Sequence, residues 1–171
     1  AAPLRAADLT ALAHLDPVAS RVADEGAGIA LDLAISKAVP YRAFLMNDPP
    51  RLVLDFSEVA FGASRPAALD RSGRVRALAW GPVRSGWSRL VAELDGPYRI
   101  ASAEERVGAG GEGEVRVRLL PEDPSAFAAA AAADPPEVAR WALPKPAAVD
   151  APKRRQTGEA PLVVVIDPGH G

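Results

Sequence analysis

Between residues 18 and 121 the apolar side chains recur at every second position, in short runs cut by turn residues and with no helical spacing between them. Ile29, Leu31, Leu33 and Ile35 share one face of such a run, and Ala30, Asp32 and Ala34 share the other. That is the pattern of a half-buried strand. Asp24-Glu25-Gly26-Ala27-Gly28 before it reads as a turn, which makes Ala19 to Ala23 its hairpin partner. Further strands are predicted at Tyr41 to Met46, Arg51 to Phe56, Arg74 to Trp80, Ser88 to Leu94, Pro97 to Ala101 and Glu114 to Leu120. In the last, Val115, Val117 and Leu119 oppose Arg116 and Arg118. About eight strands at such close spacing imply antiparallel sheets packed face to face. The expected fold of this zone is all-β, a sandwich of two small sheets.

The flanks read differently. Residues 1–17 are alanine-rich, and Leu9, Leu12 and Leu15 fall at helical spacing, as in an N-terminal arm or a short helix. In residues 122–133, Asp123 can cap a short helix with Pro124 at its first position. Prolines punctuate residues 134–161 (Pro135, Pro136, Pro144, Pro146, Pro152 and Pro161), which reads as a flexible linker. The run from Leu162 to Ile166 is unbroken and β-branched, then passes into Asp167-Pro168-Gly169-His170-Gly171. Such a run suits a strand buried on both faces of a mostly parallel sheet. Residues 162–171 are therefore expected to open a truncated α/β domain.

One internal echo stands out. Arg51-Leu-Val-Leu-Asp-Phe and Arg89-Leu-Val-Ala-Glu-Leu match in type along their whole length. Two related half-domains would produce this, and so would the ordinary likeness of strands with charged ends.

Net charge is −2 and the isoelectric point lies near 5.7, which argues against a nucleic-acid binder. No run of about 18 apolar residues exists to span a membrane. With no cysteine, a disulfide scaffold and a thiolate metal site are excluded. Ala1-Ala2-Pro3 fits a mature chain cut behind small residues, or an arbitrary boundary.

Two groups of residues carry candidate chemistry. His170 sits between glycines that leave room for a metal, and Asp167 is placed to orient the loop or the imidazole from outside the ligand set. Equally, a lone histidine in such a turn is an ordinary loop residue. Upstream lie Arg65, Arg71, Arg74, Arg76, Arg84 and Arg89 with only Asp70 opposing, and Trp80 and Trp87 among them. Guanidinium forks grip carboxylates and indole faces stack on sugars, so Arg74, Arg76, Trp80, Arg84 and Trp87 are candidate contacts to an anionic glycan–peptide polymer. The alternative is solvated arginines and core tryptophans. Asp55 and Glu93 are expected to be structural, as partners for nearby arginines or turn amides, and His14 to be solvated.

The stretch from Arg74 to Leu94, with Pro50 to Phe56 before it, resembles an AMIN domain, the β-rich targeting module found ahead of periplasmic cell-wall amidases and in some secretins. Val164-Val165-Ile166-Asp167-Pro168-Gly169-His170-Gly171 resembles the opening of a zinc-dependent N-acetylmuramoyl-L-alanine amidase domain of the division-associated AmiC type. The first resemblance covers about residues 18–121 and implies binding to septal peptidoglycan. The second implies that His170 is the first zinc ligand. The remaining ligands and the catalytic glutamate match no position here, so the chain alone is expected to be inactive and to hold no zinc, which belongs to the full-length enzyme. The resemblance further implies a periplasmic protein exported with its signal peptide removed, daughter-cell separation as its role, and divisome activators of the LytM-domain type as partners. The alternative it leaves is a stand-alone peptidoglycan-binding or secretin-type envelope-assembly module.

Overall fold

The computed structural model describes residues 13–133. The expectations for residues 1–12, for the linker at 134–161 and for residues 162–171, Asp167 and His170 included, lie outside the described residues.

The chain begins with the expected hairpin. Strands β1 (Ala13–Glu25) and β2 (Gly28–Ile35) pair antiparallel around a two-residue turn, with Gly26 at φ 59. Gly28 is required by a close approach: a Cβ there would sit 2.0 Å from the Leu119 carbonyl oxygen. Then follow β3 (Tyr41–Met46), β4 (Arg51–Ser57), β5 (Val59–Ala60), β6 (Asp70–Arg71), β7 (Val75–Arg84), β8 (Trp87–Leu94), β9 (Tyr98–Val107) and β10 (Gly113–Pro121). One sheet runs β5-β1-β2-β10-β9, with β6 also paired to β1, and the other runs β3-β4-β8-β7. The all-β, two-sheet expectation therefore holds.

The strands pack as alternation dictates. Leu31, Leu33, Val117 and Leu119 from the first sheet meet Leu52, Leu54, Phe56 and Leu90 from the second, all essentially inaccessible to water. Burying that much branched apolar surface is the main force holding the two layers together.

Several sequence expectations need correction. Residues 13–17 of the supposed arm are strand, because Ala13 and Leu15 alternate with exposed His14 and Asp16 and bury beside Val59 and Ile35. The helical spacing of Leu15 was incidental. β1 is also not a regular partner for β2: residues 17–20 stand opposite Leu33 alone. The Asp16 carboxylate accepts the Val18 and Ala19 amides, and Ser20 Oγ takes the Ala34 amide that the bulge leaves without a strand partner. β2 is not half-buried, since Ala30 and Asp32 on its outward face are buried as well. Neighbouring strands on both sides supply side chains that lean over them.

The echoed segments are neighbours in one sheet. β4 and β8 pair antiparallel, with Arg51 opposite Glu93 and Asp55 opposite Arg89. Two copies of an arginine-to-acid spacing match charge for charge when one is reversed.

Both open sides of the sandwich are closed. The helix α1 (Pro124–Ala133) lies against β3 and β9 and buries Phe127. Its start is as expected, for Asp123 Oδ1 accepts the amides of Ser125 at 2.8 Å and Ala126 at 3.3 Å. Along the other side residues 58–74 form a strap: β5, a single 3-10 turn (Pro66–Ala68) against β7, then β6 on β1.

Candidate functional site

Strand register decides which side chains meet on the outward face of the β3-β4-β8-β7 sheet. Arg42 on β3, Asp55 on β4, Arg89 on β8 and Gly81 on β7 form one cross-strand row. Asp55 is fully buried. Its Oδ1 accepts Arg89 Nε at 2.6 Å and its Oδ2 accepts Arg89 Nη2 at 3.1 Å, a two-pronged grip. Oδ2 also accepts Nε and Nη2 of Arg42, at 3.3 and 3.2 Å. The row thus carries one carboxylate between two guanidinium groups.

The next row, Phe44, Val53, Val91 and Ala79, is apolar. The guanidinium carbons of Arg42 and Arg89 stand 5.9 and 5.7 Å from the Phe44 ring centroid, so one aromatic face backs both cations. A shallow groove of about 360 Å³ runs beside this row over Ala79, Gly81, Val83, Val91 and Arg89. On the opposite flank, toward the β7–β8 turn, the Arg84 guanidinium lies 5.5 Å from the Trp87 ring centroid. The turn itself needs Gly86, at φ 74.

The outward face of the larger sheet repeats the theme. Asp32 on β2 is flanked by Arg21 on β1 at 3.2 Å and Arg118 on β10 at 2.8 Å. Arg118 is shared with Glu25 at 3.1 Å. Arg116 pairs with Glu114 at 2.8 Å, and that carboxylate's hydrogen bonds raise the Arg116 pKa. Arg106 pairs with Glu104.

The structure divides the residues singled out in the sequence. Arg84 and Trp87 come together on the smaller sheet's outward face. Trp80 does not join them: it turns inward, packs on the core and stacks on Phe61 at 5.2 Å. Arg74 and Arg76 lie at the opposite end of β7. Arg74 bonds Asp24 at 2.8 Å, and Arg76 donates to the Asp95 carbonyl at 3.2 Å. The Ser72 hydroxyl, with help from Arg74, holds Asp24 below its ordinary pKa. Asp55 does partner arginines, as expected, whereas Arg42 and Phe44 were missed. The Arg-x-Phe spacing in β3 could have flagged them, but only with the register known. Among the described residues no three metal-capable side chains converge, and His14 is exposed, as expected.

No helix among the described residues is long and apolar enough to cross a membrane. No curated protein matches the chain. A family model for the AMIN domain matches residues 19–119, more than half of the chain and nearly the whole of the sandwich. Domains of this kind occur in periplasmic and extracytoplasmic proteins. The match and the two-sheet all-β fold together mean that the chain belongs to the AMIN domain family, a family of peptidoglycan-binding, targeting domains.

Proposed function

We propose that this chain is the wall-targeting portion of a periplasmic, zinc-dependent N-acetylmuramoyl-L-alanine amidase, and that the outward face of the β3-β4-β8-β7 sheet is its peptidoglycan contact. The observation that carries the contact is the Arg42–Asp55–Arg89 row with Arg84 and Trp87 beside it. Guanidinium groups braced by a buried carboxylate and an aromatic ring keep a fixed orientation, so little entropy is lost when they meet a ligand. The Arg84–Trp87 pair and the shallow groove over Ala79, Gly81 and Val91 suit sugar rings and the short methyl side chains of stem peptides. Sedimentation with purified sacculi tests this. The 171-residue chain pellets with them, and the Arg84→Ala/Trp87→Ala variant pellets several-fold less while keeping its circular dichroism spectrum. Equal pelleting by both would remove this face from the proposal.

The catalytic half of the proposal rests on Asp167-Pro168-Gly169-His170-Gly171 following the proline-rich segment. An imidazole between two glycines is a donor that zinc accepts, and it would share the metal with ligands beyond position 171. His170 would hold zinc with those ligands, and the metal would supply Lewis-acid chemistry for the amide between N-acetylmuramic acid and L-alanine and a more acidic bound water. Replacing His170 with Ala in the parent protein abolishes zinc retention and amide hydrolysis together. The AMIN domain would hold that enzyme at septal peptidoglycan for daughter-cell separation, with LytM-type activators as partners. A stand-alone binding or envelope-assembly module is the other reading, and the codons after Gly171 separate the two.

A further inference from the structure

The strap that closes the sandwich between β1 and β7 carries an uneven charge distribution. Arg65, at the start of the 3-10 turn, and Arg71, on β6, are exposed, and neither guanidinium has an ion-pair or hydrogen-bond partner among the described residues. Arg76, where β7 bulges against β8, is exposed and donates only to a main-chain carbonyl. Two of the nearby acids have partners of their own. Asp70 accepts the Ser72 amide at 3.0 Å, and Asp24 accepts from Ser72 and Arg74.

The larger sheet's outward face offers a contrast, because there each arginine that pairs has a carboxylate within reach. The strap also lacks an open aromatic face: Phe61 is buried, and its ring lies against Trp80. Cations without counter-charges attract anions, and a surface without exposed rings has nothing on which to stack a neutral sugar.

We infer that this strap, together with the start of β7, is a second contact of the module, formed by Arg65 and Arg71 on the strap and Arg76 on β7, and that it takes the free carboxylates of peptidoglycan stem peptides rather than the glycan strand. The inference rests on the proposed peptidoglycan binding and names the chemical group read at this side of the domain. Guanidinium groups suit carboxylates because two parallel N–H donors match the two oxygens. The exposed setting makes the contact weak per residue and dependent on ionic strength, since the screening length is about 10 Å at 0.1 M salt.

The test compares the 171-residue chain with its Arg65→Gln/Arg71→Gln/Arg76→Gln variant on native sacculi and on sacculi whose carboxylates have been amidated. All three side chains are exposed, so thermal unfolding should coincide for the two proteins. At low salt the variant binds native sacculi about tenfold more weakly than the wild type, as expected for three surface ion pairs. Amidation weakens the wild type by a similar factor and leaves the variant nearly unchanged. Equal binding by wild type and variant, or wild-type binding indifferent to amidation, overturns the inference while leaving peptidoglycan binding intact. No wild-type binding to native sacculi at any salt overturns the peptidoglycan reading itself. Vesicles of 30% phosphatidylglycerol form the last arm: loss of vesicle binding in the variant, with sacculus binding kept, reassigns the strap to lipid headgroups and overturns the inference.

Discussion

Two aspartates, Asp32 and Asp55, occupy matching places on the outward faces of the two sheets, each on a central strand and each flanked by an arginine from either neighbour. Their surroundings differ. Asp55 is wholly buried, and its partners Arg42 and Arg89 are only 32% and 16% exposed. Beside Asp32, Arg21 is 65% exposed and Arg118 is shared with Glu25. Phe44 backs the Asp55 clamp, and among the described residues no ring does so at Asp32. Both carboxylates are buried, but the Asp55 brace is largely closed off from water on each side, whereas the outer cation at Asp32, Arg21, stands in solvent. The same charges matter more where water cannot replace a lost partner.

The largest expected effect tests that difference directly. Asp55→Ala leaves two partly buried guanidinium groups without their carboxylate, and should lower unfolding stability by about 3–5 kcal/mol. Asp32→Ala should cost about 1 kcal/mol, since Arg21 reverts to water and Arg118 keeps Glu25. Urea titrations of the two variants measure both, and equal losses would break the comparison. A smaller change sharpens it. Phe44→Leu preserves apolar bulk but removes the ring under both cations, and should destabilise by about 1–2 kcal/mol. Combined with Asp55→Ala, its cost should fall, because the cations it backs no longer have a fixed position.

Much of the fold was legible because alternation is a local signal. β3 was readable to the residue, and the α1 start followed from Asp123 and Pro124. The inward turn of Trp80 was also readable in principle: it shares parity with Leu78, whereas Trp87 shares parity with Arg89 and opposes Leu90, Ala92 and Leu94. Proximity along the chain obscured it, since both rings fall within one arginine-rich stretch. The Asp55 clamp was not legible, because it depends on which strands pair and in what register. Local sequence carries turn chemistry and periodicity; it does not say that β8, rather than β5 or β7, lies beside β4. For the same reason the echo did not reveal that its two segments are adjacent strands. The strap was hidden by its short elements, β5 and β6, each too brief to show a period.

An effect as small as that of Asp32→Ala is expected where the two sheets are joined at one end. Tyr98, on β9 of the larger sheet, donates its hydroxyl to Asp95, just after β8 of the smaller one, at 2.8 Å. Burial first, then the bond and charge of Asp95, push the phenol up to about 12 from its ordinary value of 10.0. The protonated form is therefore the one the fold favours. Its stabilising contribution is complete below about pH 10, the unfolded value, and is lost as pH rises toward 12. Tyr98→Phe should cost about 1 kcal/mol at neutral pH by removing one hydrogen bond and leaving Asp95 without it. It should also flatten the decline in stability between pH 10 and 12, because phenylalanine has no proton to lose. Denaturant midpoints taken across that range separate the two effects. If the variant's stability falls as steeply as the wild type's, the bond between the sheets does not govern the alkaline limit.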